Sequence, residues 1–93
     1  MRIKPNRSII EGRVESIVPT ADGFGANVEF AVEKTQSAKG FEDFLQAVPG
    51  SVITVFAAEP GTVEEGRSYK LTTSVLGGPR GERVVLEKAQ PKS

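Results

Sequence analysis

Three residue types that carry much of protein chemistry are missing from this 93-residue chain: cysteine, histidine and tryptophan. Without cysteine there is no disulfide, no thiolate metal site and no cysteine nucleophile. Without histidine, the commonest general base, the commonest transition-metal ligand and any Ser-His-Asp triad are excluded. With so small a chain, these absences predict a protein that is not an enzyme and that uses no metal and no cofactor.

Long apolar runs are also missing. The longest, residues 55–58, has four residues, whereas a membrane-spanning helix needs about 20. The basic N-terminus is not followed by an apolar run, so it lacks the pattern of a secretory signal. Since the chain also has no cysteine, we expect a cytoplasmic protein that does not interact with membranes.

Charge is balanced in total but unevenly distributed along the chain. Twelve basic residues face twelve acidic ones, yet residues 1–13 carry a net charge of +3, residues 14–66 of −7 and residues 67–93 of +4. If the two basic ends fold onto one face, the molecule has a cationic side. The alternative is scattered, solvated charge.

Alternating apolar and polar residues predict β-strands. The clearest strand covers residues 24–33, and its apolar face consists of Phe24, Ala26, Val28, Phe30 and Val32. Other strands are predicted over 8–18, 51–58, 67–76 and 82–88, and 51–58 is apolar on both faces, as in a central, buried strand.

Glycines and a change of period mark the remaining elements. Gly12, inside the first strand, predicts a bulge or bend, and Asp22-Gly23 predicts a turn. Over residues 41–48 the apolar spacing becomes i, i+3, i+4, i+7, which predicts a short amphipathic helix that ends at Pro49-Gly50. The helix stripe consists of Phe41, Phe44, Leu45 and Val48.

These elements predict a single barrel domain over residues 8–89. Residues 1–7 are predicted to be a flexible basic arm and residues 90–93 a disordered tail. The predicted core consists of Val14, Phe24, Val28, Phe30, Phe44, Leu45, Val55, Leu71 and Leu86. Phe41 and Tyr69 are also assigned to the interior, and Phe56 is left undecided because its strand is apolar on both sides.

Five strands, a bent first strand, one short helix and a glycine-rich final hairpin resemble the OB-fold. Gly77-Gly78-Pro79-Arg80-Gly81 and the strands beside it look like the closing hairpin of single-strand-binding OB domains. The resemblance implies an all-β, five-stranded, partly open Greek-key barrel. One departure is that OB-folds usually place the helix after the third strand, whereas here it follows the second. An SH3-like barrel and a small β-sandwich are the alternatives.

The resemblance also implies a binding surface, formed by the outer face of strands two and three and by the loops between strands 1–2 and 4–5. On this basis the sequence predicts a module for single-stranded DNA or RNA, which contacts phosphates through basic side chains on the Gly77–Arg83 hairpin, the strands and the arm. The candidate binding residues are Arg80, Arg83, Lys70, Arg13, Arg7 and Lys4.

Two features argue against nucleic acid. Most aromatics are assigned to the core rather than to a stacking surface, and the outward residues Asn27, Glu29 and Glu33 form an acidic face that would repel phosphate. The alternative function is therefore a protein-interaction or assembly module that binds through an exposed strand edge or through its separated charges. The sequence leaves the oligomeric state open.

Overall fold

The computed structural model describes residues 6–37, 47–78 and 81–92. They form five strands and one 3₁₀ turn, and no α-helix occurs among these residues. In chain order the elements are β1 (Ser8–Pro19), β2 (Ala26–Ser37), β3 (Val52–Ala57), the 3₁₀ turn Pro60–Thr62, β4 (Ser68–Gly78) and β5 (Gly81–Pro91).

The five strands close into a barrel in the order β1-β2-β3-β5-β4. The first strand pairs with both β2 and β4, and these contacts are antiparallel, as are those of β2 with β3 and of β4 with β5. The closing contact of β3 with β5 is parallel. The protein is therefore an all-β, OB-like small barrel, as the sequence predicts.

The barrel interior is filled from the inward positions of every strand, because successive side chains of a strand point to opposite faces. Val14, Val28, Phe30, Val55 and Leu71 are fully buried, as predicted. Further members are Ile10, Val32, Ala57, Val63 and Tyr69, and Leu86 is partly buried against them. Phe44 and Leu45 lie outside the described residues.

Gly12 sits at a bulge, as predicted. The register of β1 against β2 shifts between Glu11 and Gly12 and again between Val14 and Ser16. A Cβ at Gly12 would overlap the backbone carbonyl of Ala31, so the close contact between the strands requires glycine. The two shifts bend β1 and increase its twist, which helps the sheet to close into a barrel.

The connection from β3 to β4 covers part of the core. After the 3₁₀ turn, Val63 is buried among the core residues, and the backbone N–H of Glu64 donates to the Tyr69 hydroxyl at 2.7 Å. The helix predicted over 41–48 falls mainly on residues 41–46, which are outside the described residues. Val48, the last residue of the predicted stripe, is 64% exposed, so that position was assigned wrongly.

Two predicted faces are corrected. Phe24 is 80% exposed, because β2 begins at Ala26 and Phe24 belongs to the preceding loop rather than to the inward face. β3 is central, between β2 and β5, but it is not buried on both faces: Val52 is 56% exposed and Thr54 is exposed as well. Its inward face consists of Val55 and Ala57, which are buried, and of Ile53, which is partly buried against the core.

The folded domain extends further along the sequence than predicted, at both ends. The Asn6 side chain is buried and bonds the backbone of Val75 twice, donating to the carbonyl at 3.0 Å and accepting from the N–H at 2.7 Å. Arg7 binds Glu87 at 3.0 Å. At the other end, β5 reaches Pro91, so residues 90 and 91 are paired rather than part of a disordered tail.

Candidate nucleic-acid interface

The loop between β1 and β2, residues 20–25, is organised by hydrogen bonds around Asp22. Its Oδ1 accepts from the Thr20 hydroxyl at 2.6 Å and from the backbone N–H of Phe24 at 3.0 Å. The Thr20 N–H donates to the Gly25 carbonyl at 3.0 Å. The predicted Asp-Gly turn is present, and Gly23 has a φ of 76°. An aspartate that binds the backbone two residues on fixes the loop conformation.

This loop places an aromatic side chain in solvent. Phe24 is 80% exposed, the most exposed large apolar side chain among the described residues. Gly25 follows it with a φ of 146°, and a Cβ there would lie 2.8 Å from the ring of Phe56 and 2.7 Å from the carbonyl of Ala57. Gly25 therefore permits the loop to lie directly against the Phe56 ring of β3.

Phe56 is half-buried on the outer side of β3, and Arg83 of β5 stacks on it. The guanidinium carbon lies 4.7 Å from the ring centroid, within the range of a cation–π contact. The parallel pairing of Phe56 with Val85 brings the two strands together here. Asn27 of β2 is paired with Phe56 on the other side and is exposed. We call Phe24, Asn27, Phe56 and Arg83 the aromatic site.

The aromatic site carries little net charge. Asp22 lies near Arg83, and its pKa is lowered, first by the Thr20 hydroxyl, then by the Phe24 N–H and to a smaller extent by the Arg83 charge. On the outer face of β2, the Glu29 carboxylate accepts from the Thr54 hydroxyl at 2.8 Å. The acidic character predicted for this face is therefore present at Glu29, but one of its oxygens is already hydrogen-bonded.

The structure does not bring the predicted basic residues into one site. Arg83 belongs to the aromatic site, whereas Lys70 lies opposite Glu11 and Arg13 opposite Ser68 on the strands β1 and β4. On β4, Lys70 is six residues from Leu76, the partner of Arg83, or about 20 Å along the strand. Arg7 is bound to Glu87. Lys4 and Arg80 lie outside the described residues.

Sequence reasoning missed Phe24 and Phe56 as candidate binding residues. The alternation over 24–33 assigned Phe24 to the core, although Gly23 and Gly25 on either side of it indicate a loop. For Phe56 the sequence pattern does not decide which face of the strand it lies on, because the strand has apolar residues at both odd and even positions. Tyr69, which was assigned to the core, is buried.

A groove runs between the end of β3 and β5. This groove has a volume of about 470 Å³ and is lined by Ala57, Ala58, Glu59, Thr62, Leu86, Glu87, Lys88 and Ala89. In the described part of the chain, no group of three acidic side chains is placed to hold a metal ion. None of the described residues forms a helix long and apolar enough to cross a membrane.

The chain was compared with protein-family models, with curated proteins and with solved structures, and no significant match was found in any of the three comparisons.

Proposed function

We propose that this protein is a non-enzymatic module that binds single-stranded DNA or RNA at the aromatic site, with bases stacked on Phe24 and Phe56. The observation that carries the proposal is the placement of Phe24, which is 80% exposed on a hydrogen-bonded loop whose Gly25 lies against the ring of the Phe56–Arg83 pair. An exposed phenylalanine has no role in the core of this barrel, whereas exposed aromatics are what single-strand binders use to stack bases.

The rigidity of the loop supports this function. Asp22 accepts hydrogen bonds from the Thr20 hydroxyl and from the backbone N–H of Phe24, so the backbone that carries Phe24 does not have to be ordered when a ligand binds. A surface that is already ordered loses less conformational entropy on binding, and more of the stacking energy appears as affinity.

Arg83 has two possible partners in this arrangement. In the free protein its guanidinium stacks on Phe56. A base that takes its place on the ring leaves the guanidinium free to bind the adjacent phosphate, which it contacts with two parallel hydrogen bonds. The exposed amide of Asn27 next to Phe56 supplies a donor and an acceptor for a base edge.

The test is fluorescence anisotropy with a labelled oligothymidine. Phe24→Ala and Phe56→Ala should each weaken binding by about 5- to 150-fold, corresponding to about 1–3 kcal/mol per stacked base. Val48→Ala is the matched control, since Val48 is also highly exposed but lies outside the aromatic site. Equal affinities for all three variants and the parent chain would contradict the proposal.

A protein partner is the second candidate, and the groove beside β5 favours it. The strands β3 and β5 share a single paired position, Phe56 with Val85, so the β5 edge beyond it adjoins the groove rather than a neighbouring strand. An extended peptide can add to such an edge. If this function is correct, peptides selected from a displayed library should lose binding on Ala58→Lys, and no oligonucleotide should bind.

A further inference from the structure

The order of the strands brings the two basic ends of the chain together. β1 from the N-terminal end lies next to β4 from the C-terminal end, and β4 lies next to β5. Their outward positions, with one from β2, form a surface away from the aromatic site that we call the cationic face. It consists of Arg13, Lys34, Lys70, Lys88 and Lys92 around Glu11.

Strand register sets the centre of this face. Glu11 of β1 is paired with Lys34 of β2 on one side and with Lys70 of β4 on the other. The Lys92 ammonium binds the Glu11 carboxylate at 3.1 Å from a third direction. Lys88 is two residues from Gln90, the partner of Lys70 in β5, so it points outward on the same face.

The cationic face has more positive charge than its own acid can compensate. Five basic side chains share one carboxylate, which leaves a net charge of +4. Within the described ranges, Lys34 and Lys70 form no salt bridge; the three that occur join Arg7 to Glu87, Arg67 to Glu64 and Lys92 to Glu11.

The neighbouring acids do not cancel this charge. Glu87 binds Arg7. Glu33 and Glu15 are exposed beside Lys34 and near Arg13, and counting both with the face still leaves a net charge of +2. Lys92, Lys34 and Lys70 together lower the pKa of Glu11, with the Lys92 hydrogen bond as the largest cause. The carboxylate therefore stays ionised and offsets one of the five positive charges, and the remaining cations keep a positive potential at this surface.

We propose that the cationic face binds the phosphate backbone of a single strand whose bases stack at the aromatic site. This inference rests on the proposed function. The connecting element is β5, which has Arg83 at one end and Lys88 near the other, with Lys92 directly after the strand. Lys92 lies nine positions after Arg83, or about 30 Å along the strand.

That distance gives the length of ligand. A stacked single strand has one phosphate per about 3.4 Å, so about nine nucleotides span the distance from the aromatic site to Lys92. This is within the range of about 4–16 nucleotides bound by single OB domains. A strand of four nucleotides is too short to contact both surfaces. The continuity along β5 is why we favour nucleic acid over an acidic protein as the ligand of this face.

The experiment compares three labelled probes: a 4-mer and a 15-mer of oligothymidine, and a 15-mer of abasic DNA that has phosphates but no bases. The double variant Lys34→Gln/Lys70→Gln should lower the slope of log affinity against log salt for both 15-mers by about 1.4, or about 0.7 per lost phosphate contact. The 4-mer should bind the double variant and the parent chain equally.

Glu11→Gln provides a test in the opposite direction. Removing the central carboxylate raises the net charge of the face to +5, and the 15-mers should bind on the order of two- to five-fold more tightly. Because misfolding does not increase affinity, this gain is specific. Glu15→Gln is the comparison, with the same change of net charge about 13 Å from Glu11 along β1 but two residues from Arg13, and its gain should be smaller than that of Glu11→Gln at moderate salt.

The outcomes separate this inference from the proposed function. If the 15-mer depends on Phe24 but not on the lysines or on Glu11, the inference is wrong and the aromatic site stands. If the abasic strand binds through the lysines while Phe24→Ala and Phe56→Ala have no effect, the cationic face stands and base stacking is wrong. If neither 15-mer binds, both are wrong. If polyglutamate displaces the 15-mer at equal charge concentration, the face binds acidic chains in general and nucleic acid is the wrong ligand.

Discussion

The aromatic site and the cationic face are built by different means. Phe24 is positioned locally, by hydrogen bonds within residues 20–25 and by contact of Gly25 with Phe56. Glu11, Lys34 and Lys70 are far apart in the chain and meet only because their strands are neighbours. The aromatic site therefore depends on the chemistry of one turn, whereas the cationic face depends on the topology of the whole barrel.

The largest expected effect comes from a core substitution that unfolds the barrel and so removes both surfaces together. Phe30 is fully buried in the barrel that supports them, so Phe30→Ala should cost about 3–5 kcal/mol, enough to unfold most of a domain of this size. Phe24→Ala, six residues earlier and at the same parity, should change stability by less than about 0.5 kcal/mol, because Phe24 is exposed. Urea denaturation measures both, and equal losses would mean that Phe24 is buried after all.

A change at Gly25 should disturb the aromatic site and leave the cationic face intact. The Cβ added by Gly25→Ala would meet the Phe56 ring and the Ala57 carbonyl, at a φ of 146° that alanine rarely adopts. We expect a loss of about 1–3 kcal/mol in stability and altered NMR shifts in residues 20–25, with unchanged shifts at Lys34 and Lys70. Gly23→Ala serves as the comparison, because it has a positive φ but no atoms in its way.

These substitutions also show how far the sequence determines the structure. The alternation at Ala26, Val28, Phe30 and Val32 predicted an inward face correctly, because burying apolar side chains on one side of a strand is a local pattern. It failed at Phe24, which belongs to the turn that ends at Gly25, because the strand begins only at Ala26. β3 was read as doubly buried because apolar residues occupy both of its faces, yet Val52 is largely exposed.

The functional residues were predictable to a different degree in the two regions. Arg83 was identified from its hairpin, but its contact with Phe56 depends on a parallel pairing of β3 with β5, which no local pattern contains. The sequence showed that both ends of the chain are basic and left open whether they meet. That answer requires knowing that β1 lies beside β4, a long-range fact.

The contact between Arg83 and Phe56 should give a smaller effect. A double-mutant cycle with Arg83→Gln and Phe56→Leu should show a coupling free energy of about 0.5–1 kcal/mol, as for exposed cation–π pairs. Repeating the cycle with Leu76→Ala in place of Phe56→Leu provides the control, since Leu76 is paired with Arg83 across the strands but has no ring. Zero coupling with Phe56 would show that Arg83 does not stack in solution.

The smallest effect concerns one carboxylate in each region. The pKa of Asp22 is lowered first by a neutral hydroxyl, and the pKa of Glu11 is lowered first by its hydrogen bond with the charged Lys92. Both carboxylates therefore stabilise the fold above the unfolded pKa of about 4, and this stabilisation is lost as the pH falls through the lower folded pKa. Raising the salt concentration from about 0.02 M to about 0.5 M should raise the pKa of Glu11 more than that of Asp22, because salt screens charge–charge interactions. NMR titration at the two salt concentrations measures both pKa values. A larger rise for Asp22 would contradict the contrast between the two regions.

The hydrogen bonds between Asn6 and Val75 join positions 69 residues apart, and this has a consequence for synthesis on the ribosome. At about 5–20 residues per second, roughly 3–14 s pass between the emergence of Asn6 and that of Val75. During this time β1 can pair with β2, whereas its other edge stays unpaired until β4 has been synthesised. β1 carries the charges of Glu11 and Arg13 and the bulge at Gly12. Such features keep an unpaired strand edge from pairing with another nascent chain.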